Sequence, residues 1–193
     1  MLSNVAKTCV TSITGATLLA VLLSGCAGDA ADSLTLAQTK SPVQLLRNDA
    51  AGRIPTTIID EVEVVADGSE ACLDEDEDPL GLSRSWNSTA IVTIEKAAES
   101  QIRSVFDDLI ASYVEQGWSS QEAGGTLTAK TTRLRSDTSV AEIRVSSLLP
   151  ELTSEQTSAD DDSRVSRIQI EVFGPCVATD GADSDEVVKV EGR

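Results

Sequence analysis

Histidine is missing altogether from these 193 residues. That excludes a Ser-His-Asp or Cys-His centre and any HExxH metal site. The G-x-S-x-G, P-loop, G-x-G-x-x-G and S-x-x-K signatures are missing too. Aromatic residues are scarce, with two Trp, one Tyr and two Phe. Trp86 and Trp118 are therefore assigned to the core or its rim before any role as stacking platforms for a sugar or partner. Basic residues are outnumbered, 15 Lys and Arg against 32 Asp and Glu, for a formal charge of -17. Such an excess of acid argues against nucleic acid as a partner, and anionic lipid headgroups repel the folded body. The most apolar stretch ends at Leu22-Leu23 and is too short for a comfortable membrane span. No metal or other cofactor is implied, because two retained cysteines without histidine make a poor zinc site. Carboxylates alone can run a glycosidase if two face each other across a cleft. Nothing in the sequence singles out such a pair, and Asp107-Asp108 read as solvent-facing neighbours on a helix. The chain is accordingly read as a non-enzyme.

What is present begins at the N-terminus. Lys7 precedes an apolar run that closes in Leu23-Ser24-Gly25-Cys26. This resembles the lipobox of bacterial lipoproteins: an apolar residue, two small ones, then cysteine. The resemblance implies a signal peptide over residues 1–25, cleavage between Gly25 and Cys26, and a diacylglycerol (palmitate-bearing) anchor on the Cys26 sulfur. It places the protein on the extracytoplasmic face of the cell membrane, its membrane contact made through that lipid. Two acyl chains suffice for lasting attachment, where one is marginal. Removing residues 1–25, whose only charge is Lys7, makes the chain one unit more negative than -17. Cys9 leaves with the signal and Cys26 carries lipid. Cys72 and Cys176 then remain in an oxidising compartment, where an even pair reads as a disulfide. It closes a loop of about a hundred residues, worth roughly 4–5 kcal/mol in the chain-entropy model.

Residues 26–40 are small and polar and read as a flexible tether spanning roughly 20 Å. Ser41, Pro42 and Gln44 announce a short helix, as cap, first helical residue and capping-box partner. Residues 56–65 read as a short helix running into an extended stretch that leads to Cys72. Asp74-Glu75-Asp76-Glu77-Asp78-Pro79 has acids at alternate positions, yet Pro79 and Ser85 stand where an EF-hand needs Gly and Glu. A solvated acidic loop is the preferred reading. Trp86, Ser88, Ala90, Val92 and Ile94 alternate as a strand with one buried face. Residues 96–116 form the best helix, with Ala98, Ile102, Val105, Leu109 and Val114 in a stripe broadened by Phe106, Ile110 and Tyr113. Gly117 stops it, and Trp118 is placed to pack back on its end. Three further strands are expected over 126–135, 140–147 and 164–173, with a turn at Ser136-Asp137-Thr138 and a loop over 148–163. The tail, 179–193, is acidic and expected to be disordered.

The expected fold class is α+β: a four-stranded, mainly antiparallel sheet (β-α-β-β-β) with one long helix on one face. Two short N-terminal helical segments and one disulfide complete the domain, residues 41–178. Cys72 before the first strand and Cys176 after the last would staple its two ends. Arg84 and Trp86, Gly117-Trp118, and Pro175-Cys176 resemble small actinobacterial lipoproteins over about residues 41–177. That likeness implies a compartment and an architecture but no activity. Asn87-Ser88-Thr89 matches a glycosylation sequon, which carries little weight inside a bacterial strand. Basic residues gather on the expected sheet: Lys130, Arg133, Arg135 and Arg144 on the central hairpin, Arg164 and Arg167 on the last strand. They form either an anion-binding patch for phosphate-bearing polymers or headgroups, or a ladder of ion pairs with Glu142 and Glu171. The ladder is preferred. The expected function is an envelope lipoprotein acting through contacts with a partner protein not identified by sequence; the alternative is a binding module for a lipid, glycan or other envelope solute.

Overall fold

A computed structural model describes residues 34–126, 129–149 and 166–193, without the side chains of 96, 97 and 99. Helix α1 (Leu36–Gly52) buries Leu36, Thr39, Val43, Arg47 and Ala50, spaced three or four apart along one side. It starts earlier than expected, at the end of the stretch read as a tether, and Ser41 is not its cap. Thr35 takes that place: its backbone N–H donates to Gln38 Oε1 (2.9 Å). Pro42 lies inside the helix, where it cannot donate to the turn before it. Docking of the apolar side offsets this lost bond.

The sheet corrects the expected four strands and single long helix: among the described residues it has seven strands, and three helices accompany it. A 3-10 turn, Thr56–Ile58, enters β1 (Ile59–Ala71), which pairs antiparallel with β2 (Ser83–Ile94). A second 3-10 turn, Lys96–Gln101, leads into α2 (Ile102–Val114). The best helical stretch is thus shorter than its apolar pattern suggested. Ile102, Val105, Phe106, Leu109 and Tyr113 form its buried side, while Val114 is half exposed. Gly117 takes a φ of +88°, which admits glycine without strain. Trp118 then turns back to meet Tyr113 edge to face, ring centroids 5.3 Å apart. A meander follows: β3 (Ser119–Gly125), β4 (Ala129–Arg135), β5 (Glu142–Leu148) and β6 (Ser166–Phe173). The short β7 (Val177–Ala178) returns beside β2. The strand order is β1-β2-β6-β5-β4-β3, so β6 closes the sheet by lying between β2 and β5.

Alternate residues face one apolar interior: Trp86, Ala90, Val92 and Ile94 from β2, Ile168, Ile170 and Val172 from β6, Ile143 and Val145 from β5, and Leu134 from β4. Val43 of α1 and Phe106 and Leu109 of α2 belong to the same core. The helices therefore cover one face of the sheet and leave the other open. Gly174 is required where the chain leaves β6, because a Cβ there would meet Trp86 O at 2.9 Å and Val43 Cγ2 at 3.2 Å. The tail expected to be disordered instead forms α3 (Asp185–Glu191), with Val187 buried in the core.

Candidate functional site

Gly25 and Cys26, the residues of signal cleavage and lipid attachment, lie outside the described residues, as do the signal peptide and Arg164. The other cysteine expectation falls on described residues. Cys72 and Cys176 are joined as a disulfide, Cα atoms 6.1 Å apart. Its place differs from the one expected, since β1 precedes Cys72 and β7 follows Cys176. The bridge ties the end of β1 to the β6–β7 connection, across the start of β2.

The basic residues read as one patch divide between the two faces. Arg133, Arg135 and Arg144 share the open face with Glu142 and Glu171, because Arg133 registers opposite Arg144 and Arg144 opposite Glu171. Arg135 Nε lies 2.5 Å from Glu142 Oε2, and Arg133 Nε lies 2.6 Å from Glu142 Oε1 without hydrogen-bond alignment. Arg144 is 3.7 Å from Glu171 and stacks over the Phe173 ring at 4.7 Å. Three guanidinium groups thus meet two carboxylates beside an open cavity of about 400 Å³, and Asp137 on the lining of that cavity brings the formal charges into balance. Lys130 leaves this group. It pairs with Asp107 of α2 at 2.7 Å and sits 5.3 Å from the Phe106 ring, on the helix side. Arg167 shares the open face but stands four residues from Glu171, about 13 Å along the strand. The ion pairs of the ladder are present, and Lys130, Arg133, Arg135, Arg144 and Arg167 are not brought together as one patch.

Sequence reasoning missed a second polar group, at the seam of α1, β1 and β2. Trp86 Nε1 donates to Asp67 Oδ1 (2.9 Å), and Gln44 Nε2 donates to Asp67 Oδ2 (2.6 Å). Arg47, buried on α1, donates to Ser88 Oγ (2.6 Å), and Lys40 lies 4.5 Å from the Trp86 ring. Burial alone would raise the Asp67 carboxyl. Hydrogen bonds from Trp86, Gln44 and Ser88, with the Arg47 charge, outweigh it and hold Asp67 below the ordinary carboxylate value. Trp86 is thereby a core residue with a satisfied N–H. At the other end of α1, Tyr113 donates to Asp49 Oδ2 (2.8 Å) beneath Arg53. Burial first, then Asp49, pushes its hydroxyl well above the usual range. The only advance signal for either group was polarity at helix and strand positions that also carried core spacing.

In the acidic loop, Asp78 has a structural role. Its carboxylate accepts the backbone N–H groups of Leu82 (2.9 Å) and Ser83 (2.8 Å). These bonds hold its carboxyl below the ordinary value. Glu191 closes α3 onto β1 through Ser69, and also pairs with Arg193 just past its own helix. Among the described residues no three metal-type side chains gather, and no helix is long and apolar enough to cross a membrane. A cleft of about 340 Å³ between α2 and the β3–β4 hairpin is lined by Arg103, Phe106, Asp107, Glu122, Lys130 and Leu149 among others. Its Asp107 is already engaged by Lys130. No protein-family model matches the chain, and no curated protein matches it.

Proposed function

We propose that this chain is an exported lipoprotein, held at the extracytoplasmic face of the cell membrane by acyl chains on Cys26, and that it works without catalysis through contacts with another envelope protein. The observation that supports the reading is the Cys72–Cys176 disulfide, spanning 104 residues of sequence. Such bridges persist in oxidising compartments and are rare in the cytosol. Together with Leu23-Ser24-Gly25-Cys26, it gives the chain two independent signs of export. Among the described residues three cavities lie outside the apolar core, two at the margins of the sheet and one between α1 and α3, which suits a contact module better than a solute carrier. A binding module for a lipid, glycan or other envelope solute is the second reading, supported by the open cavity of about 400 Å³ that Arg135, Arg144 and Phe173 line.

The test is metabolic labelling with palmitate in the native host, beside the Cys26→Ala variant. The wild type should carry label and begin at Cys26 when sequenced after purification. Label that persists in the variant, or a mature protein that begins at Met1, would overturn the anchor.

A further inference from the structure

We propose that the outer edge of β1, over residues 59–64, takes up an extended basic strand from a partner protein, with lysine or arginine on one side and β-branched residues on the other. It deepens the contact-module reading by naming the surface, and it does not depend on the lipid.

Among the described residues the strand ends the sheet, with β2 as its one paired neighbour. An edge strand presents a row of N–H and C=O groups able to pair with another chain. The far end of β1 is occupied. Asp67 is held by Trp86 and Gln44, Arg84 donates to Ser69 O (2.9 Å), and Glu191 of α3 bonds Ser69. A register shift between Val64 and Ala66 separates that end from residues 59–64. The free segment is about 20 Å long, and a second register shift, between Ile59 and Glu61, leaves 61–64 as its regular part, about 13 Å.

Its side chains specify what fits. Val62 and Val64 register opposite Val92 and Ala90, on the helix-covered side, yet are 48% and 49% exposed. Glu61 and Glu63 register opposite Thr93 and Ile91, on the open side, and are exposed. An added strand would set its own alternate side chains beside these two rows, one apolar and one anionic. The whole of β1 carries five carboxylates and no base. A second copy pairing β1 on β1 antiparallel would place glutamates on the same face as glutamates, which is destabilising. The opposite edge, β3, offers SSQEAGG, with no large apolar side chain and a register shift of its own. Two of the chain's undescribed stretches have the wrong charge as well. Residues 27–33 hold two aspartates and no base, and 150–165 hold five acids and one arginine. A basic partner strand is the occupant that all of these features accept.

The test uses the full chain with Cys26→Ala, kept in solution, and three ten-residue peptides: alternating Lys-Val, the same composition in two blocks, and alternating Glu-Val. Binding is read by fluorescence anisotropy, and the site by amide hydrogen exchange. The alternating Lys-Val peptide should bind at least tenfold tighter than the block isomer and slow exchange at 59–64. In E61K/E63K that preference should pass to the Glu-Val peptide, which also shows that the variant is folded. Equal affinity for the two Lys-Val isomers, or protection elsewhere, would overturn the proposal. So would 59–64 amides already protected in the free chain, whether by its own segments or in a dimer. Palmitate labelling is untouched by any of these outcomes, so the two readings fail separately.

Discussion

Asp67, Asp78 and Glu191 are carboxylates whose protons are held less tightly in the fold than in the unfolded chain. For Asp67 and Glu191, burial works against this and is outweighed by hydrogen bonds and nearby arginines; for Asp78, the backbone N–H groups of Leu82 and Ser83 dominate. A depressed carboxyl stabilises the fold above its unfolded value, about 4, and that contribution is lost as pH falls through the lower folded value. Thermal midpoints followed by circular dichroism should therefore stay level from pH 7 to about 5 and fall below about pH 4. Asp78→Asn keeps one acceptor but loses the charge and the second. Its midpoint should lie below the wild type at pH 7, and the two curves should converge in acid. Parallel curves throughout would show that Asp78 is not a clamp. The acidic run was legible as a loop, but not the role of its last member, because a carboxylate aimed at the backbone N–H groups four and five residues on leaves no mark in composition. Lys130 was misplaced for a different reason: it stands three residues from Arg133, an odd step that sets the two on opposite faces of β4, and the patch was gathered without that alternation.

At the scale of elements, α3 offers the clearest check. Val187 is fully buried against a core that otherwise comes from α1, α2 and the sheet. Val187→Ala should cost about 2 kcal/mol, read as a lower urea midpoint with an unchanged slope. A neutral result would mean that α3 is a loose appendage. The helix carried its own start and stop signals: Ser184 as cap, Asp185 and Glu186 in the first turn, Lys189 in the last, and Gly192 after it. The acidic composition of the tail masked them. The missed β3 had no such signals, since every one of its side chains is exposed and alternation had nothing to report. The strands that were legible, β2, β5 and β6, bury one face each, and their core residues stand where the alternation placed them. Strand number failed where burial is absent, at both edges of the sheet, and at β7, whose two residues are too few for alternation to show.

For the whole molecule, the disulfide joins β1 to the β6–β7 connection over 104 residues. Replacing both cysteines with serine should lower unfolding free energy by roughly 4–5 kcal/mol, the loop-closure value for that separation. Urea unfolding of the variant beside the wild type measures it; an unchanged midpoint would show the bridge to be incidental. The strand order carries a consequence in time. A ribosome makes β2 long before β6, yet β2 finds its inner neighbour only when β6 arrives, with Ile94 against Ser166 and Asn87 against Phe173. Pairings so distant along the chain form slowly. The sheet cannot assemble its middle until β6 has been made, so β2 waits without its inner neighbour while α2, β3, β4 and β5 are synthesised.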